Sequence, residues 1–177
     1  MSTESNFKVF LRSEFEKDKN CNSVLEVGRQ VRAILNKPEV ISKIATAHVF
    51  GATSHSVQAT ILDELSKIGF TSEKKGLFAD FKVPGIRPDY FKPHEGGGFL
   101  FEVERGKTIA NKMDLLNVWK THICREARHL ILLVPNIRVT GKGAKQNIFS
   151  PVQNRISAFF HESVPAIDVD SIHLIGY

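Results

Sequence analysis

Three kinds of hydrophobic pattern follow one another between residues 99 and 134. Phe99-Leu100-Phe101-Glu102-Val103-Glu104 alternates with period two, so Phe99, Phe101 and Val103 share one face and Leu100, Glu102 and Glu104 the other. A helical period follows from roughly Ala110 to Arg128, with Ile109, Met113, Leu116, Ile123, Cys124 and Ala127 as its apolar stripe. Trp119 flanks that stripe as a packing residue. Lys120 falls in the middle of it, where its long stem either snorkels to water or carries the ammonium to buried acids. Leu130 to Val134 is continuously apolar, the mark of a strand covered on both faces. Strand, helix, strand in this order predicts a right-handed parallel crossover.

Upstream, Phe7, Val9 and Leu11 alternate weakly, as a short edge strand or a loose arm. Asn22 or Ser23 is placed to cap a helix through Val24, Val27, Val31 and Leu35. Pro38 opens a further helical turn with Val40, Ile41 and Ile44 on its apolar side. The next helix runs from Thr53 or Ser54 to Gly69, a good C-terminal stop. Val57, Ile61 and Ile68 form its stripe, Leu65 lies at the edge, and Glu64 falls inside it. That carboxylate either sits at the rim beside a lysine or arginine, or faces a site. Leu77–Val83 and Arg87–Phe91 read as a hairpin turning at Pro84-Gly85. Pro88 makes its strand an edge locally, or costs it one hydrogen bond.

Downstream, residues 138 to 147 read as a mobile basic loop carrying Arg138, Lys142 and Lys145, either solvated or touching phosphate. Ser150-Pro151 starts an amphipathic helix with Val152, Ile156, Phe159 and Phe160. Ser171 to Tyr177 is a last short strand, preceded by Asp168 and Asp170 as loop residues. The whole is a single α/β domain over residues 1–177 with a core at about 53–135, a mixed central sheet flanked by helices.

Composition narrows the partners. The formal charge is +5 and the pI about 9.3, which suits a polyanion without demanding one. Thirteen Phe against one Trp and two Tyr favour core packing over base-stacking platforms. Cys21 and Cys124 lack any zinc or disulfide spacing, so a reducing, cytoplasmic setting is expected. The polar N-terminus reads against a secretory signal, and no run approaches the roughly 18 apolar residues of a membrane span.

The chemistry lies in the acids. Asp89 and Glu102 fall on successive strands, with Glu104 two residues beyond. If the strands pair, three carboxylates converge and raise one another's pKa. Mg²⁺, or Mn²⁺ in its place, relieves that penalty and suits oxygen donors. Without a thiolate or histidine cluster, zinc does not fit.

Arg87-Pro88-Asp89, the glycine-bearing gap, and Phe101-Glu102-Val103-Glu104 resemble the PD-(D/E)xK nuclease superfamily, which includes many restriction endonucleases and Holliday-junction resolvases. The likeness covers roughly Val57 to Pro135. It implies a restriction-endonuclease-like core: a helix, an antiparallel hairpin bearing the acids, a crossover helix and a further strand. It implies Asp89, Glu102 and Glu64 as metal ligands. Glu104 stands where the family usually has lysine, and would orient or deprotonate the attacking water. Lys120 or Lys107 would then stabilise the phosphoryl charge. The implied activity is metal-dependent hydrolysis of DNA phosphodiesters, with Arg105, Lys107, Lys142, Lys145 and Arg155 contacting the DNA backbone. Cutting both strands would favour a homodimer. The alternatives are a nuclease-like DNA-binding or scaffold module without catalysis, and an acid-rich α/β protein unrelated to nucleic acid.

Overall fold

The computed structural model describes residues 6–72, 76–81, 86–105, 108–162, 164 and 167–177. In chain order it contains β1 (Phe7–Leu11), α1 (Cys21–Leu35), α2 (Pro38–Ala47), α3 (Ser54–Lys67), β2 (Thr71–Ser72), β3 (Tyr90–Lys92), β4 (Gly98–Val103), α4 (Met113–Ile123), β5 (Ala127–Val134), β6 (Ile137–Val139), β7 (Lys145–Asn147), α5 (Phe149–Ser157) and β8 (Ser171–Gly176). Six strands form one mixed sheet in the order β1-β8-β5-β4-β3-β2. β4, β5 and β8 run parallel, and the outer strands pair antiparallel. β6 and β7 form a separate hairpin.

The sheet divides the core into two layers, as the period-two alternation requires. Phe99, Phe101 and Val103 of β4 pack with Val57, Ile61 and Leu65 of α3 and with the buried residues of α1 and α2. Leu100 packs on the opposite side with Val118 of α4 and with Val152 and Ile156 of α5. β5 and β8 are flanked on both faces, which explains the unbroken apolar run at 130–134. Among the described residues no helix is long and apolar enough to cross a membrane.

The weak alternation at Phe7–Leu11 becomes an edge strand because β8 offers it a complete antiparallel register. α2 begins at Pro38 and α3 at Ser54 as their patterns require, and Gly69, with φ 89°, follows the end of α3 in a conformation that costs glycine least. α1 starts two to three residues earlier than expected. Asn20 stands at its cap position without a capping side-chain bond, and Asn22 and Ser23 lie inside the helix.

Other expectations are corrected. Residues 77–81 form turns, not a strand; Phe78 joins the α4-side core while β2 takes the place beside β3. The Pro84-Gly85 turn lies outside the described residues. The helix expected over 110–128 is cut to Met113–Ile123, because Ala127 pairs with Gly98 and begins β5. Of its expected apolar stripe, Leu116 is turned outward at 43% exposed, as is the flanking Trp119 at 45%, while Cys124 and Ala127 are buried in the α4-side core and Ile109 and Ile123 pack against it. Residues 138–147, expected as a loose loop, contain both strands of the small hairpin except Ile137.

α1 approaches the sheet most closely at Gly28. A Cβ there would stand 2.1 Å from Nδ1 of His173, a fully buried ring on β8. Gly28→Ala should therefore destabilise the protein by about 2 kcal/mol in urea unfolding, since neither partner has room to move.

Burial pushes the His173 imidazole down to about 3. The unfolded chain takes up that proton near the ordinary value of about 6.5, so stability is lost as pH falls below it. His173→Leu removes this titration. Measured by urea unfolding, its stability relative to wild type should improve by roughly 2 kcal/mol or more between pH 7 and pH 4.

Candidate active site

The carboxylates collect where β3 and β4 pair. Tyr90 is in register with Phe101, which sets Asp89, one residue before β3, opposite Glu102. Asp89 Oδ2 accepts a hydrogen bond of 2.7 Å from the Val103 backbone N–H. Glu102 projects from the α4 face of a strand with six buried residues and is itself 4% exposed. Glu104 follows at the strand's exit, half-buried.

α4 supplies the counter-groups. Its buried positions are Asp114, Asn117, Val118, Lys120 and Thr121. Lys120 Nζ donates to Glu102 Oε1 at 2.7 Å and to the Arg87 carbonyl at 3.2 Å. Of the two readings of Lys120, the structure adopts the one in which the ammonium reaches the acids. Asn117 Nδ2 donates to Glu104 Oε1 at 2.8 Å. The helix turns a polar face to the sheet because the sheet is acidic there, and buried carboxylates need donors.

One lysine does not neutralise three acids. Burial pushes Glu102 up to about 8, against the pull of Lys120. Burial likewise raises Glu104 to about 7, against its bond from Asn117. Asp89 is raised by burial, with the Val103 N–H, Lys120, Gln58 and His55 acting in the opposite direction. The site therefore lacks positive charge.

Among the described residues, no three His, Cys, Asp or Glu side chains are gathered closely enough to close around an ion. The full three-carboxylate convergence expected from the strands is not formed. The donor set still fits a hard, hydrated cation. Asp89 and Glu102 are oxygen donors in cross-strand register, and Mg²⁺ is commonly held by one or two carboxylates with water filling the rest.

Glu64 is not part of this cluster. Its carboxylate binds Lys37 at 2.5 Å and also Lys67, and the two lysines hold it down to about 2. The helix α3 instead presents His55 and Gln58 to Asp89, and Tyr90 Oη donates to the Gln58 carbonyl at 2.8 Å. Gln58 carried no signal in the pattern. The polar stripe Asp114, Asn117, Thr121 did, at helical spacing, but the apolar residues flanking it drew the expected face elsewhere.

The cationic candidates separate into two groups. Arg105 is buried, and its guanidinium donates to the carbonyls of Val49 and Ala52. Arg155 Nε lies 2.9 Å from Oδ2 of the fully buried Asp114. Both are committed to internal partners and are not placed as DNA contacts. Lys142 and Lys145 are exposed on the β6–β7 hairpin. Lys107 lies outside the described residues.

Glu104 and Arg105 also line a cleft of about 430 Å³ bounded by residues 50–54, Asn111, Met113, Arg138 and Val139. Of the three acids, Glu104 is thus the one that lines an open groove. No protein-family model matches the chain, and no curated protein matches it.

Removing Lys120 leaves Glu102 buried without its ammonium. Lys120→Met should cost about 3 kcal/mol or more in urea unfolding. Adding Glu102→Gln should recover part of that loss, giving a coupling that a double-mutant cycle measures.

Proposed function

We propose that the protein is a metal-dependent endonuclease with a restriction-endonuclease-like core, hydrolysing DNA phosphodiester bonds. The observation that carries this reading is the cross-strand pair Asp89 and Glu102, met by Lys120 from the helix joining two parallel strands. The parallel β4–α4–β5 unit and the antiparallel β3–β4 pair agree with the core that the resemblance implies.

In this reading Asp89 and Glu102 hold Mg²⁺ or Mn²⁺. The cation, when bound, polarises a phosphoryl oxygen and acidifies water. The protein's own groups do the rest. Glu104, raised to about 7, is poised near neutrality to take a proton from the attacking water. Asn117 fixes one of its oxygens, leaving the other for that water. Lys120 already stands beside Glu102 and supplies fixed positive charge as negative charge grows on the phosphoryl oxygens. This assigns to Lys120 the role usually given to a lysine at position 104.

The Lys120–Glu102 ion pair also favours a second reading, a nuclease-like DNA-binding module whose acids are already satisfied. Calorimetric titration with Mn²⁺ separates the two, since only the first retains a cation site.

The direct test is incubation with supercoiled plasmid and single-stranded circular DNA in Mg²⁺, Mn²⁺ or EDTA. Cleavage should require metal. Asp89→Asn should abolish it, by about a hundredfold or more, while circular dichroism shows an intact fold. The ratio of nicked to linear plasmid reports whether two sites act together as a homodimer. Metal-dependent cleavage persisting at the wild-type rate in Asp89→Asn would overturn the assignment.

A further inference from the structure

We infer that the cleft beside Glu104 receives an unpaired DNA strand, with Phe50 as the platform on which a base stacks. This rests on the nuclease reading above and names the substrate class of the same site.

Seven large apolar side chains are well exposed among the described residues; two of them, Phe50 and Val139, line this cleft, and two more, Val49 and Ile137, stand on the same two segments. They come from two segments far apart in sequence, the turn before α3 and the β6–β7 hairpin. Phe50 is 71% exposed, yet it is not loosely hung. Its ring lies against Gly141, where an added Cβ would stand 2.9 Å from Cζ. The buried Arg105 guanidinium grips the Val49 and Ala52 carbonyls on either side of it. His48 Nε2 lies 3.3 Å from the Ile137 carbonyl and ties the turn to the hairpin. The aromatic ring is therefore held at the cleft by polar bonds to the backbone around it.

The charge around this apolar rim is complementary to a polyphosphate. Arg138 lines the cleft, and Lys142 and Lys145 stand on the same hairpin. None of the three forms an ion pair among the described residues, whereas Arg105, Lys120, Arg128 and Arg155 all have internal partners. An exposed aromatic flanked by unpaired cations is the combination that binds single strands: bases stack on the ring and cations follow the backbone. An intact duplex hides its base faces and offers only phosphates to such a rim. A strand lying in the cleft passes Glu104, which belongs to both the cleft and the acid cluster.

The test is binding in EDTA, where no cleavage interferes. Fluorescence anisotropy would compare a labelled thymidine oligomer with a blunt duplex of equal length at low salt. The single strand should bind more tightly. Phe50→Ala should weaken it by about tenfold, the loss of one stacked base, and leave duplex binding unchanged. Lys142→Ala with Lys145→Ala should weaken both ligands alike and flatten the salt dependence. Phe50 is a surface residue, and an unchanged urea midpoint for Phe50→Ala would exclude unfolding as the cause. Duplex binding equal to or tighter than single-strand binding would overturn the inference, as would single-strand affinity indifferent to Phe50. The plasmid assay with Asp89→Asn reads the nuclease assignment separately. Strand-selective binding without cleavage removes the chemistry and keeps the cleft. Metal-dependent cleavage without strand selectivity keeps the chemistry and removes the cleft.

Discussion

A strand buried along its whole length must account for every charge it carries. β4 is such a strand, with all six of its residues buried, and Glu102 is the one charge it carries. The Lys120 ammonium at 2.7 Å answers it. That requirement propagates outward. α4 must cross the sheet where Lys120 reaches Glu102, so it also sets Asn117 on Glu104 and buries Asp114 against Arg155. Its polar side faces the sheet, and Leu116 and Trp119 are left toward solvent. An amphipathic helix normally buries its apolar stripe; here the desolvated carboxylates on the strand decide which face turns inward.

The same constraint bears on chemistry. A fully neutralised pair would be inert structure. Three acids facing one lysine leave the site short of positive charge, and burial keeps Glu102 and Glu104 near the pH at which they exchange protons. The residue after Glu104 carries the influence further. Arg105 is buried and holds the turn before α3 by its carbonyls, joining the acid cluster physically to the cleft wall that presents Phe50.

The elements that were legible in the sequence are those whose signal is local. The alternation at 99–104, the apolar run at 130–134 and the stripes of α1, α2, α3 and α5 all produce the elements they imply. Glu102 and Asp89 stood out because carboxylates on apolar strands are costly, and the structure sets them opposite each other. Glu64 stood out for the same reason on α3, but two lysines reach it at the helix rim. Helical spacing says that a side chain lies in a stripe; it does not say which cation from another helix is waiting there.

What the sequence by itself determined is thus the strands near 7–11, 99–104, 130–134 and 171–177, the places of α1, α2, α3 and α5, the α/β class, and Glu102 as a buried acid facing Asp89. Each follows from hydrophobic periodicity and the cost of desolvating charge, which are properties of short segments. Only the tertiary structure decided how far α4 extends, which of its faces is buried, that residues 71–72 rather than 77–81 pair with β3, and which cations are taken by internal partners. Those outcomes depend on competition between distant segments. Ala127 exchanges a helical position for pairing with Gly98, and Arg105 and Arg155 take internal partners that no local pattern contains. A residue's chemistry is written in its side chain, but its availability is set by what the fold brings against it.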